Sequence, residues 1–487
     1  MEYLIGVDVG TTNVKAIALA GDGRLLARAG RTTRTLSPVP HAAEQSAPAV
    51  FRRVMDVVRE VAAVCSPLGK PAGLVFSGAM HSLIAEDERG RCLINAWLWS
   101  DGRAAAFYRP LRASETGKEI YRRTGTPIHP MSPLVKLLCL RVSYPEVFSN
   151  ARLYLGIKDF VLKKLVGEKI CDASLASTTG LLNTVRGEWD EVALRTAGIT
   201  ADRLPRVVSP SSIFRLKAGS AALLGLPAGL PVVPGASDGA LANIGSGADG
   251  PDKLAMTIGT SAALRLTLDS PALDPAGRTF CYRLDDRRFI AGGASNNGGN
   301  VLDWLRREVF LSRRPVSRLL AQASRVGPGS DGLLFVPYLH GERAPVWDTD
   351  AVGICHGLTH RHGRAHLARA AVEGVVLNLK MIAEALPQWE NCRSIALSGG
   401  AALNPLWQRV VADVFDRPVE VPSPDAPDAS ALGAVMLARE ALGLEPLTPP
   451  EPAFVLEPDP TNVVTYCDVW KRFAPLNAIF QSPTRAR

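Results

Sequence analysis

A chain of 487 residues is longer than one hydrophobic core serves well, so two domains are expected. Its 47% hydrophobic and 21% charged content is that of an ordinary folded protein and excludes a largely disordered one. The net charge of +8 suits an anionic partner, either nucleotide phosphates or a carboxylate, while the scatter of its 55 Lys and Arg argues against nucleic acid.

The eight cysteines show no CxxC spacing and no regular framework, which reads as reduced thiols and a cytoplasmic location. No basic leader precedes Tyr3 and no apolar run reaches membrane-spanning length, so no membrane partner is expected.

In chain order, Tyr3 to Val9 is an apolar strand ending in Gly10-Thr11-Thr12. A second strand runs from Asn13 to Ala20, and after the turn Gly21-Asp22-Gly23 a third starts at Leu25. Near residue 252 the pattern returns: Lys253 to Ile258 leads into Gly259-Thr260-Ser261, then a strand from Ala262 to Leu268. A second echo follows in the same order. The apolar strand from Gly73 stops at Ser77-Gly78, and the one from Ser394 stops at Ser398-Gly399 before a helix that enters at Pro405. Two echoes predict two related α/β domains, each a central sheet with helices on both faces. The boundary is expected in the Gly-rich run 239–251, giving domains 1–245 and 246–445. A Pro-rich segment and tail, 446–487, then carries an amphipathic helix around Thr461 to Phe480 that packs on a domain.

A tight turn between strands exposes several backbone N–H groups, and adjacent Thr or Ser hydroxyls add donors, so two such turns could grip a polyphosphate from both sides of a cleft. The two turns differ: Asp8 sits two residues before Gly10, where Thr257 sits before Gly259. A carboxylate in an apolar strand is costly unless it serves a cation such as Mg²⁺ or is capped by nearby hydroxyls. Asp238 stands between the strand from Pro231 to Ser237 and a helix start. It reads either as a general base for an attacking hydroxyl or as a helix cap. Ser398-Gly399-Gly400 and Asn404 form a strand, a turn and a helix entrance where a purine or ribose could lie. His356, His360, His362 and His366 invite a metal reading, but Arg361, Arg364 and Gly363 interrupt them, and a solvated basic turn is the expectation.

These pieces resemble the FGGY family of carbohydrate kinases over nearly the full chain. The matching segments are Asp8 to Thr12, Met80-His81, Trp99 to Arg103, Lys136, Gly235 to Asp238, Thr257 to Thr260, Gly341-Glu342-Arg343, Gly353 to Glu373 and Gly399 to Asn404. Cys139 and Cys355 depart from the two family signatures, where an aromatic and a larger apolar residue are usual. The resemblance implies an α/β fold of two actin-like (ribonuclease H-like) domains around a central cleft that closes on ATP, Mg²⁺ and a sugar or sugar acid. It also implies roles: Asp238 as base, Asp8 for the metal, and Thr11, Thr12, Gly259 and Thr260 for phosphates. Gly299, Gly400 and Asn404 would border the adenosine, and Met80 and His81 would touch the sugar, with Asp101 and Arg103 nearby. Ser77 to Leu83 and Gly125 to Pro133 are most similar to gluconokinases, with xylulokinases as the alternative. An acid substrate would then find its cation among His81, His129, Arg103 and Lys136. A non-metabolic actin-like ATPase is the reading from another class, and it would call for a peptide-binding or polymer-forming module. A homodimer is one expected assembly.

Overall fold

The computed structural model describes residues 1–477 and 480. Two main sheets organise the chain, and their topologies repeat. In the first the strand order is Phe214–Arg215, Pro231–Val233, Lys70–Gly78, Glu2–Val9, Asn13–Ala20, Leu25–Thr32. The second runs Phe280–Arg283, Phe289–Ser295, Ala262–Leu268, Lys253–Ile258, Ser394–Ser398, Val419–Val421, Phe454–Leu456. In each, a central strand pairs antiparallel with its successor and parallel with the strand that ends in Ser-Gly. The register sets Asp8 opposite Ser77 and Thr257 opposite Ser398, so the two echoes in the sequence are one repeated supersecondary unit.

The strands are rich in Val, Ile, Leu and Ala because both faces of each sheet are covered. Helix Ala47–Cys65 covers the first sheet, its N-terminus held by Ser46, whose Oγ accepts from Ala49 N. Helix Arg364–Ala383 does the same for the second sheet. The strand expected to run from Pro231 to Ser237 is shorter, ending at Val233. Pro234 has no N–H to pair, and Gly235 takes φ +66°, with the position of an added Cβ only 1.8 Å from the Phe76 carbonyl oxygen.

Two helices lie between the sheets. Asp238–Gly245 reaches the second sheet, where Asn243 Nδ2 donates to Thr267 Oγ1 at 3.3 Å. Ala429–Ala441 rests on the first, with its Ala431 carbonyl against Gly6. The helices touch backbone to backbone at Gly245 and Gly433, where an added Cβ would lie 2.0 Å from the Ala429 oxygen and 1.9 Å from the Leu241 oxygen. One continuous apolar core therefore runs from Leu4 and Val75 through Leu241 and Leu432 to Leu254 and Met256.

The C-terminal segment is built into the second domain rather than set apart from residue 446 onward. Phe454–Leu456 extends the second sheet beside Val419–Val421. Helix Pro460–Phe473 then packs on helix Pro405–Phe415, and Tyr466 hydrogen-bonds Glu373 and Arg369. The helix ends at Phe473 and a short 3-10 turn follows to Asn477; of the expected span to Phe480, residues 478 and 479 lie outside those described. At the histidine run, His362 and His366 accept from the backbone N–H groups of Thr359 and Gly363 at the start of helix Arg364–Ala383. No helix among the described residues is long and apolar enough to cross a membrane.

The Gly245–Gly433 crossing carries a direct expectation. Gly433→Ala sets a methyl group against a backbone oxygen that no rotamer change can move. It should lower unfolding free energy by about 1–3 kcal/mol in denaturant titration, whereas Gly219→Ala, in open space, should change it little.

Candidate active site

Asp238 stands at the N-terminus of its helix, but it does not cap it. Ser237 takes that role, its Oγ accepting from Ala240 N at 3.4 Å, and Asp238 is the first helical residue. Its carboxylate accepts from the Gly239 N–H at 2.6 Å and otherwise faces the cleft. Burial pushes its pKa up, and Arg265, the Gly239 N–H and Lys158 oppose that push. Of the two readings open to Asp238, capping is thus met by its neighbour.

A buried network fixes this turn. Lys158, fully enclosed, pairs with Asp172 at 2.8 Å and donates to the Ala236 carbonyl at 2.9 Å. Ser174 Oγ bonds both Ser237 Oγ, at 3.0 Å, and Ser237 N, at 3.1 Å. Asp172 is itself an N-cap, accepting from Leu175 N. These residues escaped the sequence reading, although a lysine in the apolar run Ile157 to Val161 is the same kind of signal as Asp8 in its strand.

Asp8 meets Asp238 and Asp428 across the cleft floor. Burial, then the charges of Asp428 and Asp238, push its pKa up to about 7. Ser77 Oγ donates to its Oδ1 at 2.8 Å, so the hydroxyl cap exists on one oxygen; no hydrogen bond to Oδ2 is found among the described residues. In the second domain, Thr257 and Ser398 occupy the corresponding places and bond each other at 2.8 Å. Lys15 reaches from the neighbouring strand to Asp428 at 2.8 Å. A cation beside Asp8 would offset its repulsion from Asp428 and Asp238, which fits Mg²⁺. The described residues bring no three ligating side chains to one point, so phosphate oxygens and waters would complete such a shell.

Three connected cavities fill the cleft. One of about 480 Å³ is bordered by Asp8, Asp238, Thr257, Arg265, Ser398 and Gly399. A second, of about 170 Å³, is bordered by Met80, His81, Asp238, Arg265, Tyr282 and Arg343. A wider mouth is bordered by Thr11, Thr12, Asp101, His129, Thr260 and Arg343. Asp238 and Arg265 are thus common to the first and second. Gly299 packs at the base of the second hairpin, its N–H donating to the Gly259 carbonyl at 2.7 Å. Asn404 caps helix Pro405–Phe415 with its Oδ1, so that atom serves the fold, and Gly400 begins the 3-10 turn before it.

The sugar-side residues divide sharply. His81, at φ +67°, donates from Nδ1 to the Thr178 carbonyl at 2.8 Å, and burial and Lys136 push its pKa down to about 3. It is therefore a neutral ring whose Nε2 accepts. His129 accepts at Nδ1 from Met131 N at 3.3 Å, which leaves Nε2–H as a buried donor without a partner among the described residues; burial also keeps this ring neutral. Lys136 is fully buried and donates to the carbonyls of His81 and Leu98, both at 2.6 Å, and of Trp97 at 3.2 Å. Arg103 is held by Asp101 at 2.6 Å and Glu44 at 3.0 Å, over the Trp97 ring. Neither cation borders the described cavities. The expectation that these four supply a cation for an acid substrate meets two neutral rings and two cations whose donors are already engaged. Arg265 and Tyr282 lie in the cavity but were not singled out from the sequence, and Arg343 was quoted only as part of a motif.

Comparison with known proteins agrees with this geometry. Residues 3–245 match the N-terminal domain, and residues 254–442 the C-terminal domain, of the FGGY family of carbohydrate kinases. The chain is 39% identical to a gluconokinase of Bacillus subtilis (strain 168), over 91% of this chain and 88% of that one. It superposes on a gluconate kinase from Lactobacillus acidophilus with a TM-score of 0.92 at 32% identity, covering 99% of both chains. A xylulose kinase from Lactobacillus acidophilus gives the same TM-score at 31% identity, again covering 99% of both. A repeated sheet unit, a carboxylate freed from capping, and two family domains spanning the cleft lead to one conclusion: this chain belongs to the FGGY family of carbohydrate kinases, phosphotransferases with an alcohol group as acceptor.

Proposed function

We propose that this chain transfers the γ-phosphoryl group of ATP to a hydroxyl of D-gluconate. The observation that carries the transfer step is Asp238, a half-buried carboxylate relieved of capping and common to two adjoining cavities. ATP lies in the larger inner cavity, with its phosphates on the N–H groups of the Gly10 to Thr12 and Gly259 to Ser261 turns. The acceptor lies against Met80 and His81, whose neutral Nε2 takes a hydrogen bond from a substrate hydroxyl. The acceptor oxygen attacks the γ-phosphorus, its proton passes to Asp238, and the bond to the β-phosphate oxygen breaks, with ADP leaving with the electron pair. Asp8 would hold Mg²⁺, which would offset negative charge on the phosphate oxygens. Lys158 and Ser174 hold the turn that aims Asp238, and domain walls on both sides exclude water.

Gluconate is favoured over xylulose by the 39% identity to a gluconokinase, since the fold alone matches both kinds of enzyme equally. Xylulose is the second reading, supported by that same structural likeness.

Asp238→Asn keeps the shape but cannot take a proton. Turnover should fall roughly 10²–10⁴-fold, with nucleotide affinity by calorimetry nearly unchanged. Asp8→Ala should raise the Mg²⁺ concentration needed for half-maximal rate while the protein still melts cooperatively; loss of activity by unfolding alone would return Asp8 to a structural role. In a coupled ADP-release assay, kcat/KM for gluconate should exceed that for xylulose by at least about tenfold, the worth of one charge-assisted contact. Equal use of the two, or preference for xylulose, would overturn the substrate reading and leave the kinase assignment intact.

A further inference from the structure

We infer that Arg343, Arg265 and Tyr282, all from the second domain, form the subsite that takes the carboxylate of an acid substrate. This rests on the sugar-acid reading above and assigns the atoms that would enforce it. All three border the 170 Å³ cavity that also holds Met80, His81 and Asp238. Each leaves a buried donor without a hydrogen-bond partner among the described residues: Arg343 Nε, Arg265 Nε and Tyr282 OH. Such atoms are rare in folded proteins, because an unpaired buried polar group forfeits its water without replacement. Three around one cavity, on one wall, are a matched set, and what they lack in common is an acceptor.

The side chains are held for this purpose by their surroundings. Arg343 is only 8% exposed; its Nη2 donates to the Ser295 carbonyl at 3.0 Å, and its guanidinium lies 4.8 Å from the centre of the Trp99 ring. Tyr282, 3% exposed, stacks on Phe280 at 4.3 Å between ring centres, and burial holds it as a phenol, hence a donor. Arg265 projects from the strand Ala262–Leu268 opposite Gly292 and packs on Gly239, where an added Cβ would lie 2.6 Å from its Nε. Any side chain at 239 would displace it.

Of the other charged groups near this wall, Asp238 faces Arg265 across the cavity, while Glu342 and Lys158 are engaged elsewhere. Glu342 accepts from Ser295 Oγ, Asn297 and Asn378 and from the N–H groups of Asn296 and Arg343. Lys158 belongs to Asp172. A carboxylate offers two oxygens with about four acceptor sites and, unlike a hydroxyl, brings a charge to match a guanidinium. Hydroxyls of a neutral ketose can accept from these donors but bring no charge to strengthen the contact.

The test is a ratio, so that any inactive fraction of a variant cancels. Efficiencies are measured for a panel of sugar acids and their neutral counterparts, gluconate and xylulose among them, on the wild type, Arg343→Met, Arg265→Met and Tyr282→Phe. Either arginine variant should lower the acid-to-neutral ratio by about 10- to 100-fold, and the phenylalanine variant by a few-fold. If a variant is too slow to assay, calorimetry replaces kinetics: acid binding should be lost while a non-hydrolysable ATP analogue still binds. A ratio unchanged in both arginine variants, or acid binding as in the wild type, overturns the inference while the substrate reading stands. Preference of the wild type for a different sugar acid overturns gluconate, and the subsite is then read with that acid. A wild type that prefers neutral acceptors throughout overturns both.

Discussion

Everything at the cleft floor depends on two helices touching at their backbones. Gly245 and Gly433 let helices Asp238–Gly245 and Ala429–Ala441 approach where any side chain would hold them apart. One rests on the first sheet and the other reaches the second, so this contact sets the spacing of the two halves. Asp238 and Asp428, at the starts of these helices, border the same cavity as Asp8.

The charges assembled there are expensive to bury, and the fold deals with each differently. Lys158 and Asp172 are paired and given a further hydrogen-bond partner. Lys136 has no carboxylate in contact and distributes its protons over three carbonyls, while burial depresses its pKa to about 7. Asp428 is paired with Lys15, but Asp8 and Asp238 have no cation in hydrogen-bond contact, and Arg265 Nε, Arg343 Nε and Tyr282 OH have no partner, among the described residues. The structural charges are satisfied within the chain; those facing the cleft are not, and a ligand carrying both a divalent cation and an anion would complete them.

Much of the architecture was legible in the sequence because repeats and turns are local signals. The meander, its echo at Lys253 and the Ser-Gly strand ends all reappear, with the first strand starting one residue earlier, at Glu2, and the strand expected from Gly73 starting at Lys70. The strand stopping at Val233 was missed because Pro234 and Gly235 read as part of an apolar run, although both break a ladder. Asp238 could not be told from a cap until Ser237 was seen in that role. The cationic candidates failed for a different reason. Arg103 and Lys136 lie close to the sugar segments in sequence, but their partners, Glu44 and the carbonyls of residues 81, 97 and 98, are set by tertiary structure. Arg265 was legible in principle, as a lone charge within an apolar strand, by the same reasoning that picked out Asp8.

A cleft made of two like halves has no inherent direction: two similar turns could receive a polyphosphate lying either way. The pairs at the ends of the central strands remove that ambiguity. One half carries Asp8 with Ser77, the other Thr257 with Ser398, a charged pair against a neutral one in the same geometry. A chain of phosphates with a cation at one end can therefore settle in a single orientation. The ancestral symmetry that built the cleft survives in its backbone, and one side chain gives it polarity.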